Sequence, residues 1–436
     1  MSHNQIRLKS RLVFILTFGC ICCFDVLLRA ADRYVVEPGT IADGNGGIYT
    51  SWDIAATQIQ WAVAAAESNT AILVSNGTYV LTNQIRTIYG TNITIRSING
   101  RAVTIVDGNR DITANRCFDL FTNATLNGFT VRNGYATNSS GGGGGIRANN
   151  AKVYNCRIEN NMSSGSQGAG LNAVNTQITN CQIIGNYSTN ISAGGVYLSQ
   201  TKIFGCEIAS NISYGPSGYG AGVLADDNST ISNCIIYANI ATNSDAYGGG
   251  VVLYKNSIIC NCLVYRNRAT GGGGIWIFAT ANNTYRPKIQ SCTVVSNYAS
   301  ATGAGISIYS YYFNTSYVEN TISYYNRGNS SSNLYCPVSG TLTGSFVIVS
   351  SCLAPTSAIP TARTVNAGNI QSDPKFIALI NGNYRLRADS PCVNAGTNQD
   401  WMTNAYDLDR SQRIRYGTVD VGAYERVNEG TVYVIH

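Results

Sequence analysis

The sequence predicts an all-β fold, a right-handed parallel β-helix solenoid with three short strands per rung, an N-terminal capping helix and a non-repeat C-terminal module. Three observations predict it. Six cysteines (Cys156, Cys181, Cys206, Cys234, Cys262 and Cys292) recur at one phase of a repeat of about 25–30 residues, each followed two positions later by Ile or Val. Every unit carries three short apolar segments and no ten-residue helical pattern, which is how stacked rungs read in a sequence. The composition is turn-rich, with 45 glycines and only 12% charged residues. A chain of 436 residues would ordinarily suggest two or three domains. A solenoid instead grows by adding rungs to one core.

Taken in chain order, residues 1–31 read as a secretory signal. Arg7, Lys9 and Arg11 precede the apolar run from Leu12 to Phe24, and Ala30 and Ala31 precede the mature start. Gly19-Cys20 fits a lipobox poorly behind Thr17 and Phe18, and no other stretch approaches a transmembrane span. The expected location is secreted, extracellular or at a bacterial cell surface. Residues 32–115 hold the cap and first rungs. Ser51, with Asp53 in the first turn, begins a helix from Ile54 to Glu67 whose Ile59, Val63 and Ala66 form an apolar face to plug the open end of the core. The segments AILVSNGTYVL, NITIRSI and AVTIVDGN then supply the first strands.

Residues 116–345 are the regular repeats. The unit reads KVYNCRIENN, QITNCQIIGN, KIFGCEIASN, TISNCIIYAN, IICNCLVYRN and KIQSCTVVSN, flanked by LNGFTVRNG and YVENTISYYN, with Phe129 and Thr321 in the cysteine slot. The apolar residues three before Cys (Val153, Ile178, Ile203, Ile231, Ile259, Ile289) are out of parity with Cys and its +2 partner, so one continuous strand cannot face all three inward. A one-residue bend before Cys restores the parity. Asn155, Asn180, Asn233 and Asn261 stand there because Asn tolerates the left-handed conformation. After each glycine cluster a third strand points Ile146, Leu171, Val196, Val223, Val251, Ile275 and Ile306 inward. Residues 346–425 hold the last rungs and the module, and 426–436 a tail.

Removing residues 1–31 leaves 25 basic against 22 acidic residues, too balanced for a nucleic-acid partner. Eleven cysteines remain. The six in the repeat occupy in-register positions whose parallel Cβ vectors aim poorly for bridging, so they are expected to be small core residues. Cys336 and Cys352 are the disulfide candidates, while Cys117, Cys260 and Cys392 lack an obvious partner.

The strings SDPKF, NGNYRLRADSPCVNAG, DLDRSQR and TVDVGAYE resemble the C-terminal region of secreted bacterial proteins with a choice-of-anchor type module beside right-handed β-helix repeats. The early segments YTSWDIAATQIQWAVAAA, SNGTYVLTNQI and VTIVDGN resemble the start of such proteins, and the wider resemblance is to the pectate lyase-like superfamily. Two departures stand out: Arg410 replaces the usual glycine after the Asp-x-Asp turn, and the chain ends within a dozen residues of Tyr424-Glu425. The resemblance implies a fold more than a function.

For chemistry, the only histidines are His3 and His436, so no internal Ser-His-Asp, Cys-His or histidine zinc site is available. Enzymes of the resembled superfamily use calcium held by clustered carboxylates beside an arginine base, or several aspartates. The outward residues of the third strand are Arg147, Asn172, Tyr197, Leu224, Val252, Trp276 and Ser307, none acidic. The nearest acids are Asp226, Asp227 and Asp245, weak catalytic candidates that read better as solvated turn residues. No metal site is assigned and no cofactor is expected, calcium being needed only by a lyase.

Tyr197, Leu224, Val252 and Trp276 form an outward stripe suited to stacking on sugar faces, with burial by a loop or by the C-terminal segment as the alternative. Lys152, Lys202 and Lys288 form a row interrupted by Gln177, Thr230 and Ile258, which suits a solvated, edge-protecting face. Glu159 and Glu207, near Arg157, read as surface charges. Asn161, Asn186, Asn211, Asn239, Asn267, Asn297 and Asn326 form a column that reads as a structural amide ladder, although Asn161-Met162-Ser163 matches a glycosylation pattern. The glycine runs Gly141–Gly145 and Gly271–Gly274 lack a phosphate-loop context. The reading is a secreted or cell-surface protein that binds polysaccharide or a surface glycan, or serves an adhesive role, without catalysis. A polysaccharide lyase or glycoside hydrolase and a purely structural rod are the alternatives.

Overall fold

Stacking of the repeats produces three main parallel walls, named here by their position in the repeat. The lead wall precedes cysteine and has thirteen strands, from Arg33–Val35 to Thr364–Ala367; the cysteine wall follows it with eleven, and the glycine wall has ten. A fourth ladder of eight strands, as short as Met162–Ser163 and Tyr187–Ser188, fills the step between the asparagine column and the glycine cluster. At roughly 4.8 Å per rung, the lead wall is about 58 Å long. The structure is a computed structural model that describes residues 30–427 apart from 41–46, 114, 138–140, 166, 191–192, 216–217, 280–283, 312–313, 331, 339, 341, 356–358 and 362–363. Most of the segment 1–31 read as a signal and of the tail 426–436 lies outside these residues, as do Gly19-Cys20 and His436.

The expected inward columns are all present. Val153, Ile178, Ile203, Ile231, Ile259 and Ile289 are buried, as are the six repeat cysteines and Ile158, Ile183, Ile208, Ile236, Val264 and Val294 after them. The bend before cysteine is a single left-handed residue: Asn155, Asn180, Gly205, Asn233, Asn261 and Ser291 have φ of 52°, 53°, 63°, 53°, 53° and 50°.

The same device turns two further corners. Asn160, Gly185, Ser210, Ala238, Arg266 and Ser296 are left-handed before the buried asparagines, and Asn150, Asn175, Gln200, Asn228 and Lys255 are left-handed where the glycine wall turns into the lead wall.

A left-handed corner breaks the strand-to-strand pairing, and the next backbone N–H must find another acceptor. At most of these corners it comes from the equivalent side chain one rung on. Asn161, Asn186, Asn211, Asn239, Asn267 and Asn297 N–H groups donate to the Oδ1 of the following Asn at 2.9–3.0 Å. Thr176 and Thr201 N–H groups donate to Thr201 and Ser229 hydroxyls at 3.1 and 3.3 Å. Cys181, Cys206 and Cys234 N–H groups donate to the next cysteine sulfur at 3.3, 3.5 and 3.3 Å. Cysteine is therefore an acceptor as well as a small core residue, which explains why Thr321 and then Ser351 continue its column: Cys292 N–H donates to Thr321 Oγ1 and Thr321 N–H to Ser351 Oγ. The asparagine column ends on Asn333 Oδ1, which accepts from Asn326 N–H, and the cysteine column on Asn369 Oδ1, which accepts from Ser351 N–H. Asn161 is wholly buried, so its glycosylation pattern is structural.

The N-terminal cap is shorter than expected. A 3-10 turn at Trp52–Ile54 and a six-residue helix at Ile59–Ala64 replace one helix over Ile54–Glu67. Between them the first strand captures the backbone, with Ala56 N–H donating to Tyr34 O and Val36 N–H to Ala56 O, both at 2.9 Å. Ile59, Ala62 and Val63 still close the core, packed on Arg33–Val35, Ala71–Val74 and Ile85–Arg86.

The C-terminal module lies along the outside of the cysteine wall. Its antiparallel hairpin pairs Phe376–Ala378 with Asn383–Leu386. Phe376, Tyr384, Leu386, Cys392, Val421 and Ala423 cover Leu263, Val295, Ile322 and Cys352, outward residues of that wall. The register explains the docking, because the outward column changes from Glu207 to Ile235, Leu263, Thr293, Ile322 and Cys352. Asn233 and Asn261 donate to Tyr406 O, and Asn320 Nδ2 to Thr397 O. Arg413 and Glu425 form a buried pair at 3.3 Å. Arg410 takes φ of 64°, the conformation the missing glycine would have supplied. The candidate Cys336–Cys352 bridge is not formed: Cys336 packs in the solenoid core and Cys352 faces outward under the module, so the wall separates them.

Asn211→Ala should lower unfolding free energy by about 2–5 kcal/mol, because it strips the acceptor from Asn186 N–H and the donor from Ile183 O. Urea denaturation measures this, with the exposed Lys202→Ala staying within about 0.5 kcal/mol of the parent.

Candidate functional site

The outward column of the glycine wall runs in strict register through Arg86, Asp119, Arg147, Asn172, Tyr197, Leu224, Val252, Trp276, Ser307 and Tyr335. At roughly 4.8 Å per step it spans about 43 Å. Its two ends differ in chemistry.

At the N-terminal end, buried Asp119 is gripped by Arg147 through two bonds of 2.7 and 2.6 Å, with Arg86 Nε 3.6 Å away. The guanidiniums of Arg86 and Arg147 also lie 5.0 and 6.0 Å from the Phe121 ring centre. Arg116 is buried beside them and holds the glycine turn through Gly142 O and Gly143 O. Burial, together with the Arg147 charge, lowers its pKa to about 10. Three arginines against one aspartate make this end electropositive.

Toward the C-terminal end the column is aromatic, but its residues are covered. Leu224, Val252 and Trp276 are 2%, 0% and 3% exposed, while Tyr197 is half-buried. The expected open stripe is thus the floor beneath Tyr219 and Tyr247, which project from the glycine turns and lie over Trp276 with ring centres 5.3 and 4.6 Å away. Phe278 stacks on Trp276 at 4.5 Å, and Tyr309 meets it edge-on at 5.9 Å. Tyr254 and Tyr335 extend the cluster through Phe278 and Tyr309. The surface available to a ligand is this partly exposed tyrosine layer. Sequence reasoning stopped at the strand and missed it, although Tyr219-Gly220 and Tyr247-Gly248 put tyrosine at the same phase of two successive turns.

Burial raises the pKa of Tyr247 and Tyr254, and takes Tyr309 to about 12. These phenols remain neutral hydrogen-bond donors through the physiological range. They are not general bases.

The three candidate acids are placed separately. Asp226 accepts from Lys255 Nζ at 3.1 Å and lies 3.5 Å from the Tyr197 hydroxyl, and Asp227 accepts from Gln200 Nε2 and Asn228 Nδ2. Asp245 is exposed at the turn leading to Tyr247. Among the described residues no three acidic, cysteine or histidine side chains gather as metal ligands. Lys255, unremarked in the sequence, is the other candidate base. Burial lowers its pKa, but the bond and charge of Asp226 more than offset this, so it stays a protonated ammonium.

Elsewhere, Glu159 pairs with Arg157 at 2.6 Å, Lys152 and Lys202 are exposed, and Lys288 lies over the Tyr317 ring. A concavity of about 510 Å³ between Phe204, Ile235 and the Tyr406–Leu408 segment contains Glu207, whose oxygens already accept from Tyr237 and Gln182.

With this geometry in view, the comparisons agree on architecture. A family model described as a right handed beta helix region matches residues 167–336. No curated protein matches. The pectate lyase Pel9A is structurally similar, with TM-score 0.56 and 16% identity over 92% of this chain and 97% of that one. A rhamnogalacturonan lyase (TM-score 0.47, 13% identity, 82% and 95%) and an alginate lyase from Paenibacillus sp. str. FPU-7 (0.36, 14%, 65% and 95%) are also similar. Identities this low establish the fold alone: this chain is a right-handed parallel β-helix.

Trp276→Ala should lower unfolding free energy by about 3–5 kcal/mol by opening a cavity under the tyrosines. Tyr219→Ala, removing a half-exposed ring, should cost about 1 kcal/mol in the same urea titration.

Proposed function

We propose that the protein binds polysaccharide without catalysis, along the outer face of the glycine wall. The observation that carries this reading is the aromatic layer of Tyr219, Tyr247, Tyr254, Phe278 and Tyr309 around Trp276. A partly buried aromatic cluster offers ring faces to sugar C–H groups and tyrosine hydroxyls to sugar oxygens. The ordered column continues from it to the arginine end, so one extended chain can lie along successive rungs. The pectate lyase that shares the fold acts on a polysaccharide, which supports a carbohydrate ligand here. The non-catalytic part of the reading rests on the dispersed acids and on the protonated Lys255. A secreted or cell-surface setting fits the signal-like segment, and no helix among the described residues is long and apolar enough to cross a membrane. Among the described residues, the module resembling choice-of-anchor regions packs on the cysteine wall, away from the aromatic cluster.

Affinity electrophoresis through gels containing polygalacturonate, alginate or xylan tests the reading. Retardation by at least one polymer is expected, and Tyr219→Ala with Tyr247→Ala should weaken it about tenfold. Parent protein that migrates unretarded in every gel contradicts the proposal. Accumulation of unsaturated sugar product, abolished by Lys255→Ala or Asp226→Asn, would replace it with a lyase.

A further inference from the structure

Two polar atoms beneath the tyrosine layer have no use in the fold. The indole Nε1–H of Trp276 and the hydroxyl of Ser307 are buried, and among the described residues neither has a hydrogen-bond partner. Trp276 is 3% exposed and Ser307 is wholly buried. Folded proteins rarely leave such groups unpaired, since burial removes their water without replacing it. Phenylalanine and alanine would fill the same positions without that penalty.

The two groups are also neighbours. Trp276 and Ser307 are register partners on adjacent strands, both on the outer side of the glycine wall. Their backbones therefore stand about one rung, roughly 4.8 Å, apart. What covers the indole is light. Tyr219 and Tyr247 reach it only as side chains, each attached beside a glycine of positive φ, Gly220 at 64° and Gly248 at 69°. Rotation of the Tyr247 ring would remove one of the rings over the indole without breaking a strand pair, and side chains change rotamer far faster than sheets open.

We propose that the Trp276 N–H and the Ser307 hydroxyl form the hydrogen-bonding floor of a saccharide site that Tyr219 and Tyr247 cover as they stand in the structure. A sugar unit entering there displaces the tyrosine rings to its flanks, stacks against the aromatic wall and accepts the indole N–H on a hydroxyl or ring oxygen. The Ser307 hydroxyl donates to a neighbouring sugar oxygen. The unpaired donors are then satisfied only in the bound state, so their penalty in the free protein becomes selectivity for a hydroxyl-rich ligand over an apolar one. This deepens, and rests on, the reading of the face as a polysaccharide-binding surface.

Trp276→Phe and Ser307→Ala separate this role from packing, because each keeps most of the volume and removes the donor. Both variants are compared with the parent and with Tyr247→Ala by urea denaturation and by electrophoresis through whichever of the polygalacturonate, alginate or xylan gels retards the parent. Each donor variant is expected to keep or raise the urea midpoint and to weaken retention about five- to tenfold. Unchanged retention in both, with Tyr247→Ala still weakening it, overturns the floor and leaves the surface reading intact. A lowered midpoint in both shows that the groups serve the fold, and overturns the inference from the other side. A parent unretarded in all three gels removes both readings together.

Discussion

The constraint on which the structure depends is the fate of one backbone amide at each corner of each rung. A rung must turn within one residue to keep its strands short, and a left-handed residue does this at the expense of a broken ladder. The amide beyond the turn then needs an acceptor that is polar, short and in register. Asparagine, threonine or serine, and cysteine each meet that need in their own column, and each takes its acceptor from the rung that follows. The apolar columns between them set the core diameter, and the polar columns fix the register. A slip by one residue would turn the apolar side chains outward and leave every corner amide unpaired at the same time.

This constraint explains what was legible in the sequence. The cysteine phase, the parity break and the asparagine column all repeat on every rung, so the period exposed them, and the left-handed residue before cysteine was inferred from parity alone. The chemical role of cysteine was not legible, because its apolar character accounted for the position and its weak acceptor sulfur left no separate trace. The replacements Thr321 and Ser351 were the visible hint. The cap helix was overread because Ile59, Val63 and Ala66 have helical spacing, whereas Ala56 is taken by the first strand.

The site was half legible for a related reason. Strand alternation gave the outward column from Arg147 to Ser307 correctly, but exposure is decided by neighbouring turns, whose geometry no strand pattern contains. Tyr219 and Tyr247 turned an apparent surface into a floor. The cysteine wall shows the converse. Its outward column turns apolar from Ile235 onward, apart from Thr293, because the module lies there, a change of composition within one column that a wall-by-wall reading would have detected. The module therefore packs on the cysteine wall, and the aromatic layer lies on the glycine wall.

Where a corner amide takes a side-chain acceptor, that acceptor lies on the C-terminal side of its rung, and the two long columns finish on Asn333 and Asn369 in place of another repeat. The stack consequently has a polarity and two terminators. A chain extending from its N-terminus leaves only its newest rung unfinished, whatever its length, so the cost of an open front does not grow as rungs accumulate. Length can change by gain or loss of whole internal repeats, while the terminators have to be inherited with the last rungs. A lineage of such proteins would be expected to vary in the middle and hold its end constant.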